Sequence, residues 1–347
     1  MTSGRAALCA AALLGAGLAL AEDAPAEREP WYERAKLSGL LYGDAFWFAD
    51  DHDPSFDDET GFWIRRIYLT YDQELDESWS FRLRLEFNSP GDFESSERLE
   101  PFLKDAFVAW AEGAHTLQLG LAPTPTFALI ESTWGYRSVE KTPLDLYRWG
   151  ASRDLGVAAF GTLGEHKKVA YHVQLGNGSD GSETNQGKKS MAALQYFPAE
   201  GWIVEVYGDY EDRPDDSDRA TAQVFAAWQG QRGRWGIQYA RQERESEPED
   251  LSLDLASAFG ALELSPRTWL LGRVDRSFDP HPEGDEIPYL PLDPTASSWL
   301  YLAGLDWRVN PHLDVIPNFE IVSYDERPDG SRPTTDVVLR VTLDAHF

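Results

Sequence analysis

Hydrophobic and polar positions alternate along the last stretch of the chain, from Thr335 to Phe347. Val337, Leu339, Val341, Leu343, Ala345 and Phe347 share one face, and Asp336, Arg340, Thr342, Asp344 and His346 share the other. Val338 is the one exception. A period of two is that of a β-strand, whose side chains point alternately to opposite faces. The same alternation recurs upstream. Trp79, Phe81, Leu83, Leu85 and Phe87 oppose Ser80, Arg82, Arg84, Glu86 and Asn88, and Trp299, Tyr301, Ala303, Leu305 and Trp307 oppose Asp306 and Arg308. Further segments run through Val169–Leu175, Trp202–Tyr210, Ala222–Trp228 and Trp235–Tyr239. Aromatic residues gather near segment ends. A strand of about 10–12 residues, tilted by about 40°, rises roughly 25–30 Å, the thickness of a bilayer's apolar layer with its margins.

The connections carry a second pattern. Tight turns at Leu75–Ser78, Glu112–His115, Gly164–Lys167, Pro198–Gly201, Gly230–Gly233, Ser265–Arg267 and Asn310–His312 alternate with long polar stretches. The long ones are Asp50–Gly61, Ser89–Phe102, Pro123–Ala151, Asn177–Lys188, Glu211–Arg219, Gln242–Leu251, Phe278–Ser297 and Asp325–Thr334. Seven short connections and eight long ones give sixteen strands with both ends on the short-turn side. A soluble sandwich has no reason to sort loop lengths this way. The expected fold is all-β, a closed antiparallel transmembrane β-barrel of about 16 strands.

The N-terminus has the pattern of a secretory signal peptide: Arg5, an apolar run from Ala6 to Leu20, and Ala19-Leu20-Ala21 before Glu22. The division expected is a signal peptide over 1–21, a short periplasmic segment over 22–35 and the barrel over 36–347. Cys9 is the only cysteine and leaves with the signal, so no disulfide is expected. No later apolar run is long enough for a membrane-spanning helix. Yet 13 Trp, 14 Tyr and 17 Phe accompany a mean hydropathy of −0.44, which suits aromatic girdles around a wet lumen. A net charge of −28 argues against a nucleic-acid partner. Much of the acid lies in two runs, Asp50–Glu59 and Glu243–Asp250, which read as solvated charge and lack the spacing of an EF-hand.

The stretch from Thr124 to Arg148 has the composition of a loop that folds inward, mixing Phe127, Leu129, Ile130, Trp134 and Leu144 with paired charges. The chain's end on Phe347 resembles the closing strand of bacterial outer-membrane β-barrels, which implies Phe347 as a signal to the barrel assembly machinery. Three further runs resemble the phosphate-selective porin O and P family: Phe62-Trp63-Ile64-Arg65-Arg66-Ile67-Tyr68-Leu69, Leu103-Lys104-Asp105-Ala106-Phe107-Val108, and Trp134-Gly135-Tyr136-Arg137-Ser138-Val139-Glu140. Ser152-Arg153-Asp154-Leu155-Gly156-Val157 adds a fourth. The resemblance implies a sixteen-stranded trimeric porin among outer-membrane lipid and lipopolysaccharide. Its water-filled channel would pass small hydrophilic, charged solutes by passive diffusion, with phosphate or other anions held by Arg and Lys in the bore and a third outer loop at the constriction.

The candidates for that pattern are Arg65 or Arg66, which as neighbours in a strand should have only one side chain inward, then Arg82, Arg84, Arg137, Lys141 and Arg153. Glu86, Asp105 and Glu140 lie close in sequence. Two readings stay open, a solute-binding ladder and a set of ion pairs that braces barrel and loop, since charges in a lumen usually pair. The acidic outer loops count against an anion-attracting mouth. Catalysis has little support: no H-E-x-x-H or G-x-S-x-G motif occurs, and no cofactor or metal is implied, which leaves an enzyme barrel as the third reading. The alternative function is a non-conducting structural or surface-interaction barrel.

Overall fold

The computed structural model describes residues 30–91, 99–178, 187–213, 217–245 and 249–347. The signal-peptide reading and most of the 22–35 segment lie outside them. A single 3-10 turn at Trp31–Arg34 leads into the first of sixteen strands. They are β1 (Ala35–Asp50), β2 (Thr60–Glu74), β3 (Trp79–Asn88), β4 (Glu100–Glu112), β5 (His115–Pro123), β6 (Arg153–Leu163), β7 (Val169–Gly176) and β8 (Lys189–Tyr196). Then follow β9 (Trp202–Glu211), β10 (Arg219–Gln229), β11 (Gly233–Arg244), β12 (Leu251–Ser265), β13 (Thr268–Ser277), β14 (Ser298–Asn310), β15 (Leu313–Tyr324) and β16 (Asp336–His346). Every strand pairs antiparallel with its sequence neighbours, and β16 closes the barrel on β1. Closure leaves no unpaired edge, the condition for a sheet to stand in an apolar medium.

Alternation decides the two surfaces. Along β16, Leu339, Val341 and Leu343 are exposed while Asp336, Val338, Arg340 and Thr342 are buried, so the greasy face is outside and the polar one inside. At the short-turn rim Trp79 pairs with Trp110 and Trp202 with Trp228, and exposed Trp235 and Trp307 continue the belt. At the long-loop rim Trp47, Phe62, Tyr210, Tyr239 and Trp299 form the second. Amphipathic rings at both margins of an apolar band are the arrangement of a membrane-spanning barrel.

Two β-bulges change which side chains reach the interior. In β2 the pairing with β1 jumps from Tyr42–Arg66 to Gly43–Ile64, skipping Arg65. Before the bulge Trp63 and Arg65 point inward, and after it Arg66 and Tyr68 do. Both arginines are thus inside, correcting the expectation that only one is, because an extra residue flips the parity of the strand. A second bulge lies in β4, where Arg84–Asp105 is followed by Leu85–Leu103, and it sends both Lys104 and Asp105 inward. β2 and β4, on either side of β3, therefore each put two consecutive charged residues into the lumen.

Candidate functional site

The β5–β6 connection forms α1 (Phe127–Trp134) and α2 (Pro143–Leu146). Phe127, Ile130 and Trp134 recur on one face of α1 and are buried. Gly135 ends α1 with φ +70°, and a Cβ there would stand 2.4 Å from the Arg234 guanidinium, whose Nε donates to the Trp134 carbonyl at 2.9 Å. Around the ring, Arg65 of β2 donates to Glu140 at 2.9 Å, and Gln223 of β10 to Thr126 at 2.7 Å. Gln242 of β11 donates to the Trp149 carbonyl at 2.8 Å, and Tyr136 to Asp306 of β14 at 3.2 Å. A segment that touches the polar face of so many strands lies inside the ring they close.

Its apolar side packs against inward-facing residues of the barrel wall. Ile130, Trp134, Tyr136 and Val139 pack on the inward-facing Ile203, Phe225, Phe259, Trp269, Leu302 and Ile316. Nearer the long-loop rim, Phe127, Leu144, Leu146, Tyr147 and Trp149 pack with Leu255, Leu300 and Val322. The β13–β14 connection joins that cluster through Ile287, Leu290 and Leu292. Tyr289, beside them, is held by the Arg340 guanidinium on its carbonyl at 2.5 Å and by the Trp63 ring at 4.9 Å. This second inward loop was not foreseen; the signal was the run Ile287-Pro288-Tyr289-Leu290-Pro291-Leu292. A uniformly wet lumen is thus replaced by an apolar core on the β9–β16 side, and the open space is displaced toward β2–β8.

That space is a row of three cavities. The outer one, about 580 Å³, is lined by seven cationic side chains, Arg66, Lys104, Lys141, Arg148, Lys189, Arg213 and Arg219, against four carboxylates, Glu86, Asp145, Glu211 and Glu286. The middle one, about 370 Å³, shares Arg66 and Ser152 with it and adds Arg84, Arg137 and Arg153 against Glu131 and Asp344. The third, about 430 Å³, lies at the short-turn end, with Arg34, Lys36 and Arg82 beside Asp72 and Glu74. Cations outnumber carboxylates at each level in a chain whose net charge is −28.

The ion pairs sort the candidates. Arg82 is held by both oxygens of Asp72, at 2.6 and 3.1 Å. Asp105 binds two cations, Arg84 at 3.2 Å and Arg153. Glu86 likewise binds Arg66 at 2.6 Å and Lys104 at 3.4 Å. Arg137 bridges Glu131 and Asp145 at 3.0 and 2.9 Å, within its own loop. Deeper, Arg65 lies between Glu140 and Asp44, and Arg340 between Glu320 and Glu140, all of them buried. That group anchors the loop and is sealed from the cavities. Carboxylates shared between two cations leave positive charge over, and Lys141 has no ion pair among the described residues. Burial pushes the Lys141 amine down to about 8 although Asp145 pulls it up. Burial by itself would raise Glu140 and Asp145, but Arg65 and Arg340 hold the first, and Arg137 and Lys141 the second, well below the usual carboxylate range.

The sequence thus pointed to Arg66, Arg84, Arg137, Lys141 and Arg153 around one cavity system. Arg65 and Glu140, candidates for the constriction, lie inside the barrel as buried ion-pair partners that hold the loop. Sequence reasoning missed Lys104, Lys189, Arg213 and Arg219 in the outer cavity lining, and Asp44, Glu320 and Arg340 in the anchor. Arg340 sat on the polar face of the most regular strand, which was the available signal. Phe347 pairs with Gly39 by two backbone hydrogen bonds and is 71% exposed.

Comparison with known structures gives the architecture a counterpart. An anion-selective porin from Comamonas acidovorans matches with a TM-score of 0.67 at 10% identity, over 90% of this chain and 99% of that one. The fold is that of the bacterial outer-membrane porins. A second porin-fold match, OmpF of Salmonella typhi in complex with daunomycin, has a TM-score of 0.63 at 12% identity over 92% of this chain and 100% of that one. A triple mutant of the Rhodopseudomonas blastica porin reaches 0.57 at 14% identity over 90% and 100%. No protein-family model and no curated protein sequence matches the chain.

Proposed function

We propose that the chain is an outer-membrane porin with a narrow, off-centre channel that passes small hydrophilic anions, phosphate among them, by passive diffusion. The observation that carries this reading is the excess of cationic side chains in all three cavities on the β2–β8 side. In a confined, partly dehydrated passage such charge acts at close range and sets which ion enters. Guanidinium groups present a planar fork that fits phosphate and carboxylate. Membership of the phosphate-selective porin O and P family belongs to the same proposal and is supported by the Phe62–Leu69, Leu103–Val108, Trp134–Glu140 and Ser152–Val157 runs. So do the homotrimer, the lipopolysaccharide surroundings and recognition of Phe347 by the barrel assembly machinery. A trimer form is described for OmpT of Vibrio cholerae, which shares the fold at 10% identity.

The apolar filling of the lumen favours a second reading, a barrel too blocked to conduct. Planar-bilayer recording separates the two. The porin reading predicts discrete steps of small conductance when purified protein is added in molar salt. A bilayer that stays silent while the protein inserts would contradict it and leave the structural barrel.

A further inference from the structure

At the outer end of the seam where β1 meets β16, three side chains converge: Asp51 and His52, just past β1, and Asp336, the first residue of β16. One carboxylate oxygen of each aspartate and His52 Nδ1 all lie within 4.8 Å of one another. Nδ1 is 3.2 Å from Asp51 Oδ1 and 3.0 Å from Asp336 Oδ1. We propose that Asp51, His52 and Asp336 form a binding site for a divalent transition cation, with zinc the best fit, that clamps the closing seam of the barrel.

Four observations support the assignment. The separations approach the edge of a zinc tetrahedron, about 3.3 Å for bonds of about 2.0–2.1 Å. The donor set, one imidazole and two carboxylates, suits zinc and its neighbours, whereas calcium and magnesium select oxygen alone. Asp51 is only 2% exposed, and its second oxygen, Oδ2, is buried with no hydrogen-bond partner among the described residues. An orphaned carboxylate oxygen inside a protein is costly, and a metal ligand in that position removes the cost. The ligands are also held from behind, as metal ligands usually are. Asp336 Oδ1 accepts the His52 backbone N–H at 2.7 Å, and its Oδ2 accepts the Tyr324 hydroxyl. Asp51 Oδ1 accepts the Asp53 N–H at 2.9 Å, while the Asp51 N–H reaches Asp57 at 2.9 Å.

The placement says what the ion does. Tyr324 ends β15, and its hydroxyl also accepts the Asp293 N–H at 3.0 Å, bringing in the β13–β14 loop that packs inside the barrel. One cation thus ties the β1–β2 loop, the start of β16 and, through Tyr324, the inward loop at the mouth. The Asp50–Glu59 run is then partly a built structure and not merely a solvated charge run.

The test is zinc titration calorimetry on the folded barrel after chelator stripping, with thermal unfolding as a second readout. His52→Ala removes one ligand, and Asp51→Asn, nearly isosteric, removes a charge while keeping Oδ1 as an acceptor. Heat-modifiable gel mobility checks folding of each. Wild-type protein should take up one zinc per chain and unfold at higher temperature with it. Either variant should bind roughly tenfold more weakly or worse and lose the thermal shift. Absence of saturable uptake by the wild type, or equal binding by wild type and Asp51→Asn, overturns the proposal.

Discussion

At the scale of single residues, the lumen is a set of cations divided by whether their countercharge is shared. Arg82, with Asp72 to itself, braces the wall. Arg84 and Arg153 share Asp105, and Arg66 and Lys104 share Glu86, so each pair carries surplus charge into the passage. The proposed solute ladder therefore rests on the residues with shared countercharge, and bracing on those with their own. Lys141 is the most informative of them because its amine is lowered to about 8 by burial, with Arg137 and Arg66 adding to the shift and Asp145 and Glu140 opposing it. A lysine is charged below its pKa, so the positive charge is present at neutral pH and is lost as pH rises through about 8. Anion preference should therefore fall across that value, and Lys141→Met should lower it below pH 8 and flatten the profile. Zero-current potentials measured on both proteins from one unit below to one unit above that pH check this. A wild-type profile that is flat, or that Lys141→Met leaves unchanged, contradicts it.

At the scale of elements, alternation made the strands legible and the bulges illegible. Period-two patterning and sorted loop lengths led directly to sixteen strands, because one face meets an apolar medium and the other water and protein polar groups, so every register is marked. Arg65-Arg66 and Lys104-Asp105 break that rule: a bulge depends on the partner strand's register, which no local pattern in β2 or β4 encodes. The inward loop after β5 was legible because apolar residues in a long connection need a core. The inward Ile287–Leu292 segment carried the same signal between two ordinary-looking polar stretches. In β16, Phe347 continues the outward row of Leu339, Val341 and Leu343 and lies over Gly39, whereas His346 sits on the inward parity. Phe347→Ser should thus reduce the folded, heat-modifiable form in outer-membrane fractions several-fold more than His346→Ser does. Equal levels of the two variants would remove Phe347 from any part in assembly.

At the scale of the whole molecule, a chain with a net charge of −28 encloses a passage with an excess of positive side chains. The two fields act over different ranges. The exposed carboxylates of the outer loops, such as Asp57, Asp58 and Glu59, face bulk solvent, where salt screens them beyond about 8–10 Å, while the cavities are confined and their charges would be felt at close range by an ion inside. The overall charge therefore says little about the interior, where the sorting of side chains by the barrel wall leaves an excess of the opposite sign. That sorting also sets the open space off centre, since β9–β15 turn Ile203, Phe225, Phe259 and Trp269 inward and the cavities lie along the β2–β8 wall. The most direct test of this account is the zero-current potential of the purified protein in a planar bilayer under a potassium chloride gradient at moderate salt. The account predicts a potential of the sign set by chloride permeating faster than potassium, whereas the opposite sign would show that the acidic loops, and not the cationic passage, govern the channel.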